Sequence, residues 1–235
     1  MAKNKQKELL AFDIGAYTGD TTDKLLEMYD KVICVDANPN MIKILKEKYT
    51  KAPVEIIEGC ISNLTTDVNF YISTNDAWCS SKKEIAERVH KSQTIQTKPL
   101  NIVNIIDKYG CPYYLKCDIE GADITLLRQL SKSQYRPVYI SCESECIGSR
   151  DINLSADEDL EILNEMKNLG YSKFVLINQR NNIINESNYL LRNYNFNILN
   201  KFWLTYDEIK TLMRSIDRNH YPIFNYWFDI IATLN

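Results

Sequence analysis

Five acidic residues stand where they could do chemistry. Asp13, Asp36 and Asp118 each close an apolar run, and Glu120 and Glu143 lie just past breaks of the same kind. A carboxylate so placed accepts hydrogen bonds from ligand hydroxyls or takes a proton from one. The first of them opens the stretch Asp13 to Gly19 (DIGAYTG), in which Gly15 and Gly19 let the backbone take positive φ and approach a ligand closely. A carboxylate at a strand end followed by such a turn marks a nucleotide-type cofactor pocket. A dinucleotide fingerprint would read G-x-G-x-x-G, with a pyrophosphate on the helix amino end, whereas the spacing here is G-x-x-x-G. S-adenosylmethionine has no phosphate to cradle, so one close turn and a carboxylate suffice for it.

The elements that must position these residues alternate. Leu9 to Ile14 reads as a strand buried on both faces, with a helix from about Asp20 carrying Leu25, Leu26 and Met28. Lys31 to Ala37 is a second strand, and Asn38 caps a helix with Pro39 at its first position. Val54 to Ile57 is a third strand, leading to Gly59, Cys60 and Ile61. After an irregular middle, Asn101 to Tyr109 is an amphipathic helix closed by Gly110, Tyr113 to Cys117 a strand, and Asp123 onward a helix with Leu126, Leu127 and Leu130. Pro137 to Cys142 is a strand ending at Glu143. Ser155 and Glu158 form a capping box before a helix that stops at Gly170, and Lys173 to Ile177 is a further strand. The pattern predicts an α/β, doubly wound, mostly parallel sheet, with ligands beyond the carboxyl ends of its strands. Asp13, Asp36 and Cys60 are expected there.

Between Thr65 and Gln96 the alternation is interrupted. Val68 to Ser73 and Thr94 to Thr97 read as extended, Thr74 to Ser81 as a polar loop containing Trp78 that lies over the pocket, and Lys82 to Lys91 as a charged helix. At 235 residues and 45% hydrophobic, the chain fits one domain, 1–235, with this insertion around 65–96 and a C-terminal extension over 179–235. A net charge of -3 gives no general attraction to nucleic acid or anionic lipid. No run approaches a membrane span, and the apolar run after the lysine-rich start is cut by Asp13, too soon for a signal-peptide core. Seven cysteines without C-x-x-C spacing read as reduced thiols in a cytoplasm, with neither a disulfide framework nor a zinc site.

Three segments, Asp13 to Gly19 (DIGAYTG), Val35 to Pro39 (VDANP) and Leu115 to Asp123 (LKCDIEGAD), stand in the order found in FkbM-type methyltransferases, which the chain resembles from Leu9 to about Ile177. Tyr226 to Ala232 (YWFDIIA) is similar to the family's aromatic-aspartate tail. The chain departs from the family at Asp36-Ala37, where glutamate-proline is commoner, and at Trp78-Cys79. The resemblance implies S-adenosylmethionine as cofactor and methyl transfer to a hydroxyl.

In that reading Asp36 accepts hydrogen bonds from the ribose, with Ala37 and Asn38 beside it, and Asp13 holds the methionine ammonium, directly or through water. Gly15, Ala16, Tyr17, Thr18 and Gly19 supply backbone contacts, and Cys60 and Ile61 flank the adenine. Asp118 positions the cofactor, and Glu120 or Glu143 is the general base toward a small-molecule or sugar acceptor. No metal is assigned, since three carboxylates alone show no dedicated metal spacing. The blander alternatives are that the glycines serve only the turn, that the acids pair with Lys116, Arg128 or Arg136, and that His90 and His220 are surface residues. An NAD-dependent oxidoreductase is the competing enzyme class, and a binding module without turnover the nonenzymatic one.

Overall fold

The computed structural model describes residues 8–87, 90–144, 160–178, 202–215 and 228–235. Strand β1 (Leu10–Ile14) leads to helix α1 (Asp20–Leu26), and β2 (Lys31–Asp36) to α2 (Pro39–Lys48), followed by β3 (Val54–Glu58). Short β4 (Cys60–Ile61) precedes the insertion, which holds β5 (Val68–Ile72), a 3₁₀ turn at Asp76–Trp78, one-turn α3 (Lys83–Ala86) and β6 (Gln93–Thr97), and short β7 (Pro99–Leu100) follows it. Alternation resumes with α4 (Ile102–Tyr109), β8 (Tyr114–Cys117), α5 (Asp123–Ser131), β9 (Tyr139–Ser144), α6 (Glu161–Asn168), β10 (Lys173–Asn178), α7 (Tyr206–Ser215) and β11 (Phe228–Thr233).

Seven strands form the main sheet in the order β10-β11-β9-β8-β1-β2-β3. The pairs from β9 to β3 are all parallel, and β11 runs antiparallel to both of its neighbours. Strand order reverses between β1 and β8, which makes the mouth between them the switch point where a doubly wound sheet leaves a crevice. Alternation along the strands splits the core in two. Phe12, Ile14, Ile33, Leu115 and Ile140 face α4, α5, α6 and α7, whereas Ala11, Val32, Cys34 and Tyr114 face Leu25 of α1 and Leu45 of α2. A sheet covered on both sides explains why β1 and β2 read as unbroken apolar runs.

The local signals act as their chemistry dictates. The Asn38 side chain accepts the Asn40 N–H at 3.0 Å with Pro39 at the first helical position, and the Asn101 side chain caps α4 through the Val103 N–H at 2.8 Å. Gly110 closes α4 at φ 98°. One expectation is corrected: the charged helix over Lys82 to Lys91 is described only as the single turn α3. The strand expected to end at Glu143 is β9, which runs one residue further, to Ser144. The aromatic-aspartate tail contributes a buried strand, β11, inserted between β9 and β10. The capping box of Ser155 and Glu158 falls outside the described residues. None of the described helices is long and apolar enough to cross a membrane.

Candidate active site

At the carboxyl ends of β1, β2 and β8 lies a cleft of about 340 Å³, within the range of small-molecule sites. Its walls include Gly15, Tyr17, Asp36, Ala37, Asn38, Cys60, Ile61, Asp118, Glu120 and Glu143. The structure therefore brings together most of the residues singled out from sequence. Asp13, Ala16, Thr18 and Gly19 do not line it.

Each of those four has a physical reason. Asp13 falls on the face of β1 that is covered by α1, where its carboxylate accepts the Thr22 hydroxyl at 2.6 Å and is fully buried. It supports the β1–α1 unit from below, so direct capture of a ligand ammonium does not fit its place. Burial raises its pKa above the usual carboxylate range, against the nearby positive charge of Lys116. Gly19 sits at φ 83° with its carbonyl accepting the Tyr49 hydroxyl at 2.7 Å, and a Cβ there would overlap that hydroxyl. Its glycine serves the packing of α1 against the end of α2. Ala16 is buried, and Thr18 gives its carbonyl to Lys48 at 3.1 Å.

Gly15 is a different case. It lines the cleft at φ 85°, and a Cβ would overlap the Asp118 carbonyl oxygen, so glycine is required for the β1 and β8 ends to meet. Four of the five backbone donors from Gly15 to Gly19 are committed within the protein. Gly15 N and Ala16 N donate to the Val35 carbonyl at 2.9 and 3.1 Å, Tyr17 N donates to the Asp36 carboxylate at 2.8 Å, and Gly19 N donates to the Ala16 carbonyl at 2.8 Å. A turn whose N–H groups are spent in this way offers shape to a ligand and little to a pyrophosphate.

Asp36 is held from two sides. One oxygen accepts Tyr17 N and the other Asn38 N, each at 2.8 Å, which fixes the carboxylate at the cleft wall with lone pairs left for ligand hydroxyls. Desolvation pushes its pKa up to about 6, against the lowering effect of those backbone donors. Val35, Met41, Ile61 and Phe70 supply apolar wall nearby.

On the opposite side stand Asp118, Glu120 and Glu143, each presenting a carboxylate oxygen within 4.8 Å of the others. Asp118 pairs with Lys116 at 2.9 Å. The other basic candidates are engaged elsewhere: Arg128 binds Glu161 and Glu165 of α6, and Arg136 donates to carbonyls of Leu130, Ser133, Tyr135 and Leu169. Glu120 adopts φ 48° and Tyr17 φ 49°, an uncommon left-handed backbone that turns up at sites where surrounding structure imposes it. At Glu120 one of the imposing contacts is visible, since its carbonyl accepts the hydroxyl of buried Ser80 at 2.5 Å.

Sequence reasoning placed the Thr74 to Ser81 loop over the pocket, and Asn75, Asp76, Ala77, Trp78 and Cys79 do line the cleft. Besides Ser80, the loop is tied down by Asn38 Nδ2 donating to the Cys79 sulfur at 3.6 Å. Cleft residues not singled out from sequence are Val35, Met41, Gly59, Phe70 and Ile119, and Asp229 of the aromatic-aspartate tail was given no role there, although β11 sets it directly opposite Glu143 in register. The alternation of β11 offered a signal for Asp229, since an acid inside an apolar strand needs a polar neighbour.

Known proteins similar to the chain were found by sequence and by structure. It is 32% identical over 73 residues, 31% of its length, to ribosomal RNA small subunit methyltransferase A of Mycoplasma capricolum, and the match spans 27% of that protein. Among solved structures it is similar to a fibrillarin pre-rRNA processing protein of Methanococcus jannaschii, with TM-score 0.48 and 10% identity over 99% of this chain and 69% of that one. It is also similar to fibrillarin of Aeropyrum pernix in complex with S-adenosyl-L-methionine, with TM-score 0.46 and 10% identity over 97% and 67% of the two chains. A family profile described as the methyltransferase FkbM domain matches residues 13–173, more than half of the sequence. The chain thus belongs to the FkbM methyltransferase domain family, and its cofactor is S-adenosylmethionine.

Proposed function

We propose that the chain is an O-methyltransferase that transfers the methyl group of S-adenosylmethionine to a hydroxyl of a small molecule or sugar. It works as one domain over 1–235, with the insertion around 65–96 and the extension over 179–235 shaping the acceptor side. The observation that carries this reading is the pairing, across one cleft, of anchored Asp36 with the Asp118, Glu120 and Glu143 group. Asp36 takes the ribose hydroxyls, Tyr17, Ala37 and Asn38 frame them, and Cys60 and Ile61 flank the adenine. The spent N–H groups of the Gly15 to Gly19 turn favour a phosphate-free cofactor over NAD.

When bound, S-adenosylmethionine supplies an electrophilic methyl. Held by Asp36, Tyr17, Ala37, Asn38, Cys60 and Ile61, it would give that methyl to the acceptor oxygen and keep the electron pair of the broken S–C bond on sulfur. The protein's part is to align that oxygen in a shielded cleft and to receive its proton. Glu120 or Glu143 takes it, while Asp118, paired with Lys116 at 2.9 Å, serves in positioning. The name of the Mycoplasma relative suggests RNA as another acceptor, and the carboxylate-lined wall opposes that choice. The same reading places the chain in the cytoplasm, where its thiols stay reduced.

Thermal unfolding with S-adenosylmethionine, S-adenosylhomocysteine and NAD in parallel tests the cofactor site. Stabilisation by the two adenosyl ligands alone is expected, and a shift with NAD alone would overturn the assignment. Mass spectrometry of acceptors from a hydroxyl-bearing panel then tests the transfer, which predicts a methyl ether and one S-adenosylhomocysteine per turnover.

A further inference from the structure

We propose that Asn38 is a positioning residue that couples binding of S-adenosylmethionine to the seating of the loop over 74–81, so that cofactor and insertion hold each other in place. The inference deepens the methyl-transfer reading and rests on its placement of the cofactor ribose at Asp36. It is carried by three bonds that meet at one buried residue. The Asn38 backbone N–H donates to Asp36 Oδ1 at 2.8 Å, its Oδ1 accepts the Asn40 N–H at 3.0 Å to cap α2, and its Nδ2 donates to the Cys79 sulfur at 3.6 Å. Asp36, Asn38 and Cys79 all line the cleft.

The next residue of the loop grips the other wall. Ser80 donates to the Glu120 carbonyl, so two successive residues tie the loop to the turn after β2 and to the turn after β8. Because β1 lies between β2 and β8 in the sheet, these ties straddle the end of β1, where Gly15 turns the chain. Cys79 also packs against Ala37, Cys60 and Phe70, so the loop and the apolar wall of the cleft share contacts.

Ribose hydroxyls donating to Asp36 would restrain its carboxylate and, through it, the Asn38 N–H. An Asn38 held in this way keeps Nδ2 aimed at Cys79. The coupling is reciprocal, because whatever the ligand contributes to seating the loop, the seated loop contributes to holding the ligand. Its size is modest. Desolvation pushes the Cys79 thiol up to about 11, so the acceptor at neutral pH is an uncharged sulfur, which accepts weakly.

The test separates the amide donor from the helix cap. Serine caps a helix about as well as asparagine, so Asn38→Ser keeps the cap of α2 and the N–H to Asp36 and loses the donor to Cys79. Cys79→Ala removes the acceptor. Amide exchange with and without S-adenosylhomocysteine, and calorimetric affinity for it, are measured in wild type, both single variants and the double variant. In wild type, saturating ligand should slow exchange over 74–81 by about fivefold or more. Either single variant should lose at least about half of that protection and bind about two- to tenfold more weakly. The double variant should bind within about twofold of the weaker single one, since both changes break the same bond. Losses that multiply would show that Asn38 and Cys79 act separately and would overturn the proposal. So would a Cys79→Ala chain with wild-type affinity and protection, an outcome that needs no Asn38 variant. Wild-type binding without protection of the loop strikes the coupling and leaves the cofactor placement intact, whereas a wild type without affinity for the ligand strikes both.

Discussion

In the proposed site Asp36 would join recognition to pH. Its pKa near 6 belongs to a carboxyl that burial disfavours as an anion, yet the anion is the form that can accept two ribose hydroxyls. Affinity for S-adenosylhomocysteine should therefore be level above about pH 7 and weaken as pH falls through 6, toward about tenfold per unit in the limit. Calorimetric titration at several pH values checks this, and affinity that improves on acidification would remove Asp36 from the site. Asp36→Asn should weaken binding by about 10- to 100-fold, as hydrogen bonds to a charged partner are worth about 1.5–3 kcal/mol. Gly15→Ala should fail more completely. Its Cβ would overlap the Asp118 carbonyl, and φ 85° is strained for alanine, so both cofactor binding and the unfolding temperature should drop. A Gly15→Ala chain that bound like wild type would show that the β1 and β8 ends need not meet closely. The placing of Asp36 was legible because an acid ending an apolar run has one natural destination in an α/β sheet. The true place of Asp13 was not, since its side chain turns under α1, and the one-residue parity of β1 decides that orientation.

At the scale of elements, the insertion is tied to the cleft through Ser80. Ser80, fully buried, donates to the left-handed Glu120 carbonyl at 2.5 Å while its oxygen accepts Lys82 N at 2.9 Å, and Tyr71 bridges to Ser80 through the backbone. Ser80→Ala leaves a carbonyl without that donor at the turn carrying Glu120. The expected result is faster amide exchange confined to residues near 74–82 and 118–122, several-fold weaker S-adenosylhomocysteine binding, and a stability loss of about 1–2 kcal/mol. Unchanged exchange at Glu120 would show that another contact sets that turn. The base of the insertion is anchored separately. Gln129 of α5, 2% exposed, accepts Ile102 N at 2.9 Å to cap α4 and donates to the Ser62 carbonyl at 2.9 Å. Strands and helices were readable from apolar runs and caps such as Asn38 and Asn101, because those signals are local. Neither the Ser80 latch nor the Gln129 clasp was readable, because each joins residues 40 and 67 positions apart with no period to betray it. β11 escaped as a strand for a related reason, since its antiparallel place between β9 and β10 is set by the sheet and not by its own sequence.

For the whole molecule, the buried carboxyls couple folding to pH in one direction. Asp13 is raised above the usual range, and Asp36 and Asp123 are both pushed up to about 6, with desolvation the largest cause in each. In the unfolded chain these groups release their protons near the ordinary value of 3.8, so between about pH 4 and 6 the folded state holds more protons than the unfolded one. The stability they favour is fully present below 3.8 and is lost as pH rises through about 6. The carboxyls held low, Asp23, Glu87 and Glu208, lie nearer the surface and act below that window. The unfolding midpoint should accordingly fall from pH 5 to pH 8, and a midpoint that rises over that range would contradict the burial assigned to Asp36 and Asp123. Asp123 can be separated from the cofactor site, because its carboxylate serves the Ile119 N–H at 3.3 Å and lies inside the core beside Cys117 and Cys142. Asp123→Asn keeps an oxygen for that donor and cannot ionise, so it should flatten the slope between about pH 4 and 6. Asp36 stays titratable in that variant, and bound S-adenosylhomocysteine favours its anion. The stabilisation that the ligand provides should then grow from pH 5 to pH 8 in wild type and Asp123→Asn alike, since one carboxyl belongs to the pocket and the other to the fold beneath it.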